Sequence, residues 1–288
     1  MSVFLVTGAS RGLGREIVRA ALTAGHDVVA GARSPHALDD LDTGEGRLTP
    51  VPLDVTDPAA AEAAVRTAVD RFGRLDALVN NAGYANVASI EDVDLDDFRD
   101  QVDANLFGVV HMSRAALPVM REQRSGHIVQ VSSVGARVTT PGLGAYQAAK
   151  WAVGGFSSVL AAEVAPLGIR VTVLEPGGMR TDWAGSSMRI APVRPEYDAT
   201  VGEMARRFEK GGATNANDPA KVAQVVLQVA AMDAPPVRLL VGEDAFAYGT
   251  AAVRALLAED ERWEDLSRST TADDATADEV DPLGLTAR

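Results

Sequence analysis

The sequence predicts an α/β protein built on a doubly wound parallel sheet of about seven strands with helices on both faces. Three observations lead there. Short apolar runs rich in Val, Ile and Leu occur at 3–6, 27–30, 48–53, 77–79, 127–131, 170–174 and 237–241, and strands buried on both faces read as continuous runs of this kind. Stretches of helical periodicity alternate with them. At 288 residues and 47% hydrophobic, the chain can bury one large core, so a single catalytic domain over 1–266 suffices.

The elements follow in chain order. The first run, Val3 to Val6, meets Thr7 and Gly8 too soon and lacks the basic stretch of a signal peptide. Helices are expected at 13–24, 58–72, 95–120, 145–165 and 219–232, the last opened by Asp218 as N-cap with Pro219 at the first helical position. The alternation breaks at 182–217, which carries Trp183, Met188, Tyr197, Met204 and Phe208. Loops past the carboxyl ends of strands border the ligand crevice of such a sheet, so this segment reads as a substrate lid, with a plain connecting loop as the alternative. Residues 246–266 read as an extra helix that covers the sheet edge or joins an interface. The segment 267–288 is acidic with little to bury, as expected of a flexible tail.

Bulk properties narrow the partners. A net charge of -13 and a pI near 4.7 argue against nucleic acid and anionic membrane surfaces. No run of about 18 apolar residues is present to span a membrane. The chain has no cysteine, hence no disulfide, thiolate nucleophile or cysteine metal site. His26, His36, His111 and His127 have no metal-ligand spacing, so no metal is expected. The default is a cytoplasmic protein with small-molecule ligands.

Thr7-Gly8-Ala9-Ser10-Arg11-Gly12-Leu13-Gly14 joins the first strand to the first helix. Backbone N–H groups and the helix dipole there can hold a pyrophosphate, and the glycines allow close approach. The second strand ends Ala30-Gly31-Ala32-Arg33, without the acid that would hold the ribose hydroxyls of NAD. Arg33 and Arg11 could instead pair a 2′-phosphate, which favours NADP(H). Gly8-Ala9-Ser10-Arg11-Gly12 also matches a hydrolase nucleophile elbow. A serine at position 10 comes too early for that fold, and the last histidine is His127, so hydrolysis through Ser10 is the minor alternative.

Tyr146-Gln147-Ala148-Ala149-Lys150 places a phenol and an ammonium one helical turn apart on one face. With only three lysines and four tyrosines in the chain, composition does not explain the pair. Lowering a tyrosine pKa from ~10 to about 7 takes roughly 4 kcal/mol of phenolate stabilisation, much of which a neighbouring cation can supply.

These motifs, with Leu53-Asp54-Val55, Asn80-Asn81-Ala82-Gly83, Asn105-Leu106-Phe107-Gly108, Ser132-Ser133 and Pro176-Gly177-Gly178 in the same order, resemble the short-chain dehydrogenase/reductase family over residues 1 to about 242. The resemblance implies a Rossmann-like fold and an NADP-dependent oxidoreductase that interconverts a ketone and a secondary alcohol. It implies Tyr146 as general acid or base, Ser133 on the same substrate oxygen, Lys150 lowering the tyrosine pKa and binding the nicotinamide ribose, and Asn105 holding a relay water. Ser132 is the rival of Ser133, and family spacing selects Ser133. Gly8, Ser10, Arg11, Gly12, Leu13 and Gly14 would hold the pyrophosphate, Asp54 and Val55 the adenine, and Asn81, Ala82 and Gly83 the adenosine ribose. Pro176, Gly177, Met179 and Thr181 would meet the nicotinamide end. Gln147 stands where small residues are common, so pocket shape is expected to differ. The apolar lid suggests a bulky or apolar carbonyl compound, and homo-oligomers are the family expectation. A noncatalytic NADP-binding regulator on the same fold is the alternative.

Overall fold

The computed structural model describes all residues except 182, 184–187, 211–215 and 285–288. Parts of the expected lid and the end of the expected tail thus lie outside the described residues. The strands β1 (Val3–Thr7), β2 (Asp27–Ala32), β3 (Leu48–Pro52), β4 (Ala77–Asn80), β5 (Gly126–Val131), β6 (Ile169–Pro176) and β7 (Arg238–Val241) form one seven-stranded sheet in the order β3-β2-β1-β4-β5-β6-β7. Every pairing is parallel. Val6 stands opposite Ala30 on one side and Val79 on the other, which is why the central strands read as uninterrupted apolar runs. Pro50 and Pro52 lie in β3 at the sheet edge, where a missing N–H costs least.

From β1 the chain winds outward to β3, and from β4 it winds the opposite way to β7. The carboxyl ends of β1 and β4 therefore flank the crevice where ligands bind in sheets of this kind. Helices α1 (Gly12–Thr23) and α7 (Pro219–Ala231) pack on one face through Ile17, Val18, Leu22, Val222 and Val226. The opposite face is covered by α2 (Pro58–Phe72), α4 (Gly108–Gln123) and α5 (Gly144–Val164) through Val65, Met112, Met120 and Leu160.

The helix expected over 95–120 is divided. Helix α3 (Leu95–Val102) runs into a single π turn, Asp103–Phe107, before α4 begins. The turn holds one residue more than an α turn, and Asn105 sits in it. The short α6 (Glu203–Glu209) lies in the segment between β6 and α7. Beyond β7, α8 (Glu243–Arg262) starts three residues ahead of the helix expected at 246, and α9 (Glu264–Arg268) continues it. The described part of the acidic tail contains α10 (Ala277–Val280), which Thr276 and Glu279 close with a reciprocal capping box.

Candidate active site

Tyr146 and Lys150 lie in the first two turns of α5, both buried, with Lys150 Nζ 5.7 Å from the centroid of the Tyr146 ring. The ammonium donates to the Val131 carbonyl at the end of β5 at 3.0 Å. The next residues of that strand end divide the two serine roles. Ser132 Oγ donates to the Lys150 carbonyl at 3.3 Å, whereas Ser133 Oγ accepts from Gly135 N at 3.0 Å and stands near enough to the Tyr146 hydroxyl to pull its pKa down. Gln147 Oε1 accepts from Thr140 N at 2.9 Å, and Nε2 donates to Val138 O at 3.0 Å. Its length thus serves to brace the loop that frames the phenol.

Burial sets the electrostatics. It pushes the Tyr146 phenol up to about 12, against a smaller downward pull from Ser133, and it pushes Lys150 down to about 8. The neutral phenol is the form that gives up a proton, so this state of the site suits an acid.

Asn105 Nδ2 donates to Tyr84 O and Gln101 O, each at 2.8 Å. These bonds tie the π turn to the loop after β4. The other amide atom, Oδ1, is buried with no hydrogen-bond partner. A Cβ at Gly83 would come within 2.5 Å of that oxygen and 3.5 Å of Lys150 Nζ, so glycine there keeps the interval between them open.

The glycine loop forms the other half of the site. Gly8 has φ of 65°, and a Cβ on Gly14 would lie 2.3 Å from the Gly8 carbonyl, so α1 approaches the end of β1 at backbone distance. Asn81 fixes the loop from the neighbouring strand, its Nδ2 donating to Thr7 O at 3.0 Å and Gly8 O at 3.3 Å. Thr7 Oγ1 accepts from Asn81 N and Ala82 N, each at 3.0 Å. Arg11, the N-cap of α1, provides no side-chain cap, so the first N–H groups of the helix, at Gly12, Leu13 and Gly14, donate no hydrogen bond to it. Leu13 itself is buried in the core, so only its backbone faces a ligand.

At the end of β2, Ala32 is buried and Arg33 exposed. Asp54 Oδ1 accepts from Thr56 N at 3.0 Å and Thr56 Oγ1 at 2.8 Å. These bonds, with a smaller contribution from the Arg33 charge, hold its carboxyl below the usual range. Val55 is buried and packs against Gly108. Pro176 ends β6 and Gly177 follows it, Met179 packs on the core, and the Thr181 side chain lies 3.6 Å from where a Gly12 Cβ would sit. A cradle that a Cβ would fill, an uncapped helix N-terminus and an orphaned buried amide oxygen fit a dinucleotide laid along the crevice.

The family model for short chain dehydrogenase matches residues 2–189. The chain belongs to the short-chain dehydrogenase/reductase family. Oxidoreductase BOA17 of Botryotinia fuckeliana is 54% identical over 267 residues, covering 92% of this chain and 97% of that protein. A short-chain dehydrogenase from Streptomyces avermitilis superposes with a TM-score of 0.86 at 38% identity, covering 94% of this chain and 98% of its own. An alcohol dehydrogenase from Thermococcus sibiricus, complexed with 5-hydroxy-NADP, gives 0.68 at 26% identity, with 84% and 96% covered. As a family member the chain is an oxidoreductase that takes NAD or NADP and acts on alcohols or carbonyl compounds.

The short-chain dehydrogenase site has an apolar roof. Ala85, Val87, Leu143, Tyr146, Val201 and Ala205 form a buried cluster separate from the two sheet cores, against which Trp183, Met188, Ile190, Tyr197 and Phe208 pack. The Trp183 ring lies 5.2 Å from that of Tyr146, tilted by 56°. Val87 N donates to Arg189 O and Ala191 N to Val87 O, both at 2.8 Å, so one strand-like bridge ties this segment to the loop after β4. Two polar features escaped the sequence reading. Glu175 is fully buried on β6 between Arg137 and Arg238, and Asn217 and Asp244 join at the loop after β6. No local pattern announces either, because the partners are far apart in the chain.

Proposed function

We propose that this protein is an NADP(H)-dependent oxidoreductase that interconverts a ketone and a secondary alcohol, with Tyr146 as general acid and base. The observation that carries the reading is the buried Tyr146 phenol with the Ser133 side chain and the Lys150 ammonium beside it. Bound NADPH supplies the hydride to the carbonyl carbon. In reduction, Tyr146 gives its proton to the carbonyl oxygen while Ser133 hydrogen-bonds the same atom. The Lys150 charge stabilises the phenolate left behind, and the ammonium protons not given to the Val131 carbonyl reach the nicotinamide ribose. A water between Asn105 Oδ1 and Lys150 returns the proton from solvent.

The preference for NADP rests on Ala32 and Arg33. Ala32 puts no carboxylate at the end of β2 to repel a 2′-phosphate, and Arg33 and Arg11 supply positive charge around it. The neighbour from Thermococcus sibiricus holds an NADP derivative, which accords with this reading. Asp54 and Val55 flank the adenine, and Asn81, Ala82 and Gly83 the adenosine ribose. The roof over Tyr146 favours a bulky or apolar carbonyl compound. Exposed Phe107, Trp151 and Val159 on the π turn and α5 support pairing of subunits there. NADPH consumption by the purified protein over a panel of apolar ketones tests the reading, and a protein that binds NADPH yet reduces none of them would mark it as a noncatalytic regulator.

A further inference from the structure

We propose that Asn217 and Asp244 are positioning residues that hold Gly178, and through it the nicotinamide end of the bound nucleotide; the inference rests on the cofactor reading above. Both lie beyond residue 189, where the family match ends. The chain leaves the sheet after β6 and returns at Asn217, and the two ends of that excursion are stapled together. Asn217 N donates to Gly178 O at 3.1 Å, and Arg180 N to Asn217 O at 3.0 Å. The Asn217 side chain adds a second fastening, Nδ2 donating to Gly178 O and to Asp244 Oδ1, each at 2.8 Å. Asp244, in the first turn of α8, turns its other oxygen to Gly178 N at 2.9 Å. Both backbone groups of Gly178 are thus held by these two side chains.

The packing leaves no slack. Gly177 N extends the ladder to Val241 O at 3.0 Å, and a Cβ at Gly177 would lie 2.2 Å from Asp244 Oδ1. The carboxylate is therefore seated directly on the backbone of Gly177 and Gly178. Its chemistry is specific: it must accept from the Gly178 N–H and from the Asn217 amide together, which an ionised carboxylate does and an amide cannot. An amide at 244 would turn an NH₂ toward the Asn217 NH₂. Three residues on from Gly178, Thr181 stands beside Gly12 of the pyrophosphate cradle. Movement of Gly178 is therefore felt along the nicotinamide half of the crevice, while the adenosine half, built on β2 and β4, is untouched.

That division gives the test. Wild type, Asp244→Asn and Asn217→Ala are titrated calorimetrically with NADPH and with adenosine 2′-monophosphate, which carries the adenosine end without the pyrophosphate, and their melting temperatures are recorded. Asp244→Asn preserves volume, so a loss there does not come from a void. Both variants are expected to lose about tenfold in NADPH affinity, the scale of one hydrogen bond to a charged group. Affinity for adenosine 2′-monophosphate stays within about twofold of wild type. An equal loss for both ligands, or unchanged NADPH affinity in folded variants, would overturn the assignment. Wild type that binds neither ligand would refute the cofactor reading itself, and this inference with it.

Discussion

Lys150 Nζ stands 5.7 Å from the centre of the Tyr146 ring while donating to the Val131 carbonyl at 3.0 Å. The ammonium is anchored by the sheet and directed past the phenol rather than onto it. Its influence on Tyr146 is therefore that of a charge fixed by the backbone, and it depends on Lys150 being protonated.

The first prediction concerns pH. With Lys150 pushed down to about 8, the reductase rate should decline as pH rises through that value, because the cation beside the developing phenolate is lost. Stability should move the other way. The folded Lys150 binds its proton less tightly than the ordinary 10.5 of the unfolded chain, so between about 8 and 10 the unfolded state holds more protons and stability rises with pH. Above 10 the raised Tyr146 value opposes this. Urea unfolding of wild type and Lys150→Met across pH 7 to 10 checks the sign: the rise should be smaller in the variant, and equal slopes would refute it.

Cofactor choice gives the second. NADPH should bind more tightly than NADH, and Arg33→Asp should reverse the order by removing a phosphate partner and adding a repulsive charge. Calorimetric titration that finds wild type binding NADH at least as well removes the basis for the NADP assignment.

The third separates the apolar roof from the tail. Trp183 touches the Tyr146 ring and Phe208 packs on the same cluster, so Trp183→Ala and Phe208→Ala should change KM or the ranking of ketones with little effect on NADPH affinity. Nearly all described residues after Ser269 are exposed. Truncation before Ser269 should leave kcat and KM within about twofold, since ordered tail residues offer little burial against their entropy. Steady-state kinetics showing unchanged ranking in both roof variants, or a large loss on truncation, would reverse these roles.

The sheet was legible because β1, β2, β4 and β5 are buried on both faces, and such strands read as mainly apolar runs with their buried polar residues, such as Asp27, Asn80 and His127, at or near the ends. The π turn at Asp103–Phe107 was not, since the one residue it inserts shifts the phase of the helical pattern only once, between two stretches that each still read as helix. In the candidate site, Tyr146 and Lys150 share one helical turn and the glycine loop one strand end, so both spacings stand in the sequence, whereas Ser133 is set apart from Ser132 only by the family resemblance. Gln147 was read as a change of pocket shape, and its amide bonds to Val138 and Thr140 become visible only once the loop is folded. Asn217 and Asp244 are 27 residues apart and act on a third segment, a juxtaposition that only the topology creates. The capping box of α10 matched a readable pattern, Thr276 followed by Glu279, but without the apolar run that normally marks a helix behind it.

The central claim is that the Tyr146 hydroxyl moves the proton. Single-turnover reduction of an accepted ketone by the NADPH-loaded protein, compared between wild type and Tyr146→Phe with NADPH affinity measured alongside, tests it most directly. Removing the acid should slow the chemical step by roughly 10²- to 10⁴-fold and leave NADPH affinity nearly unchanged, because the hydroxyl meets the substrate oxygen more than the nucleotide. A Tyr146→Phe variant that keeps more than about a tenth of the wild-type rate would contradict the account, since positioned acid catalysis is worth more than that.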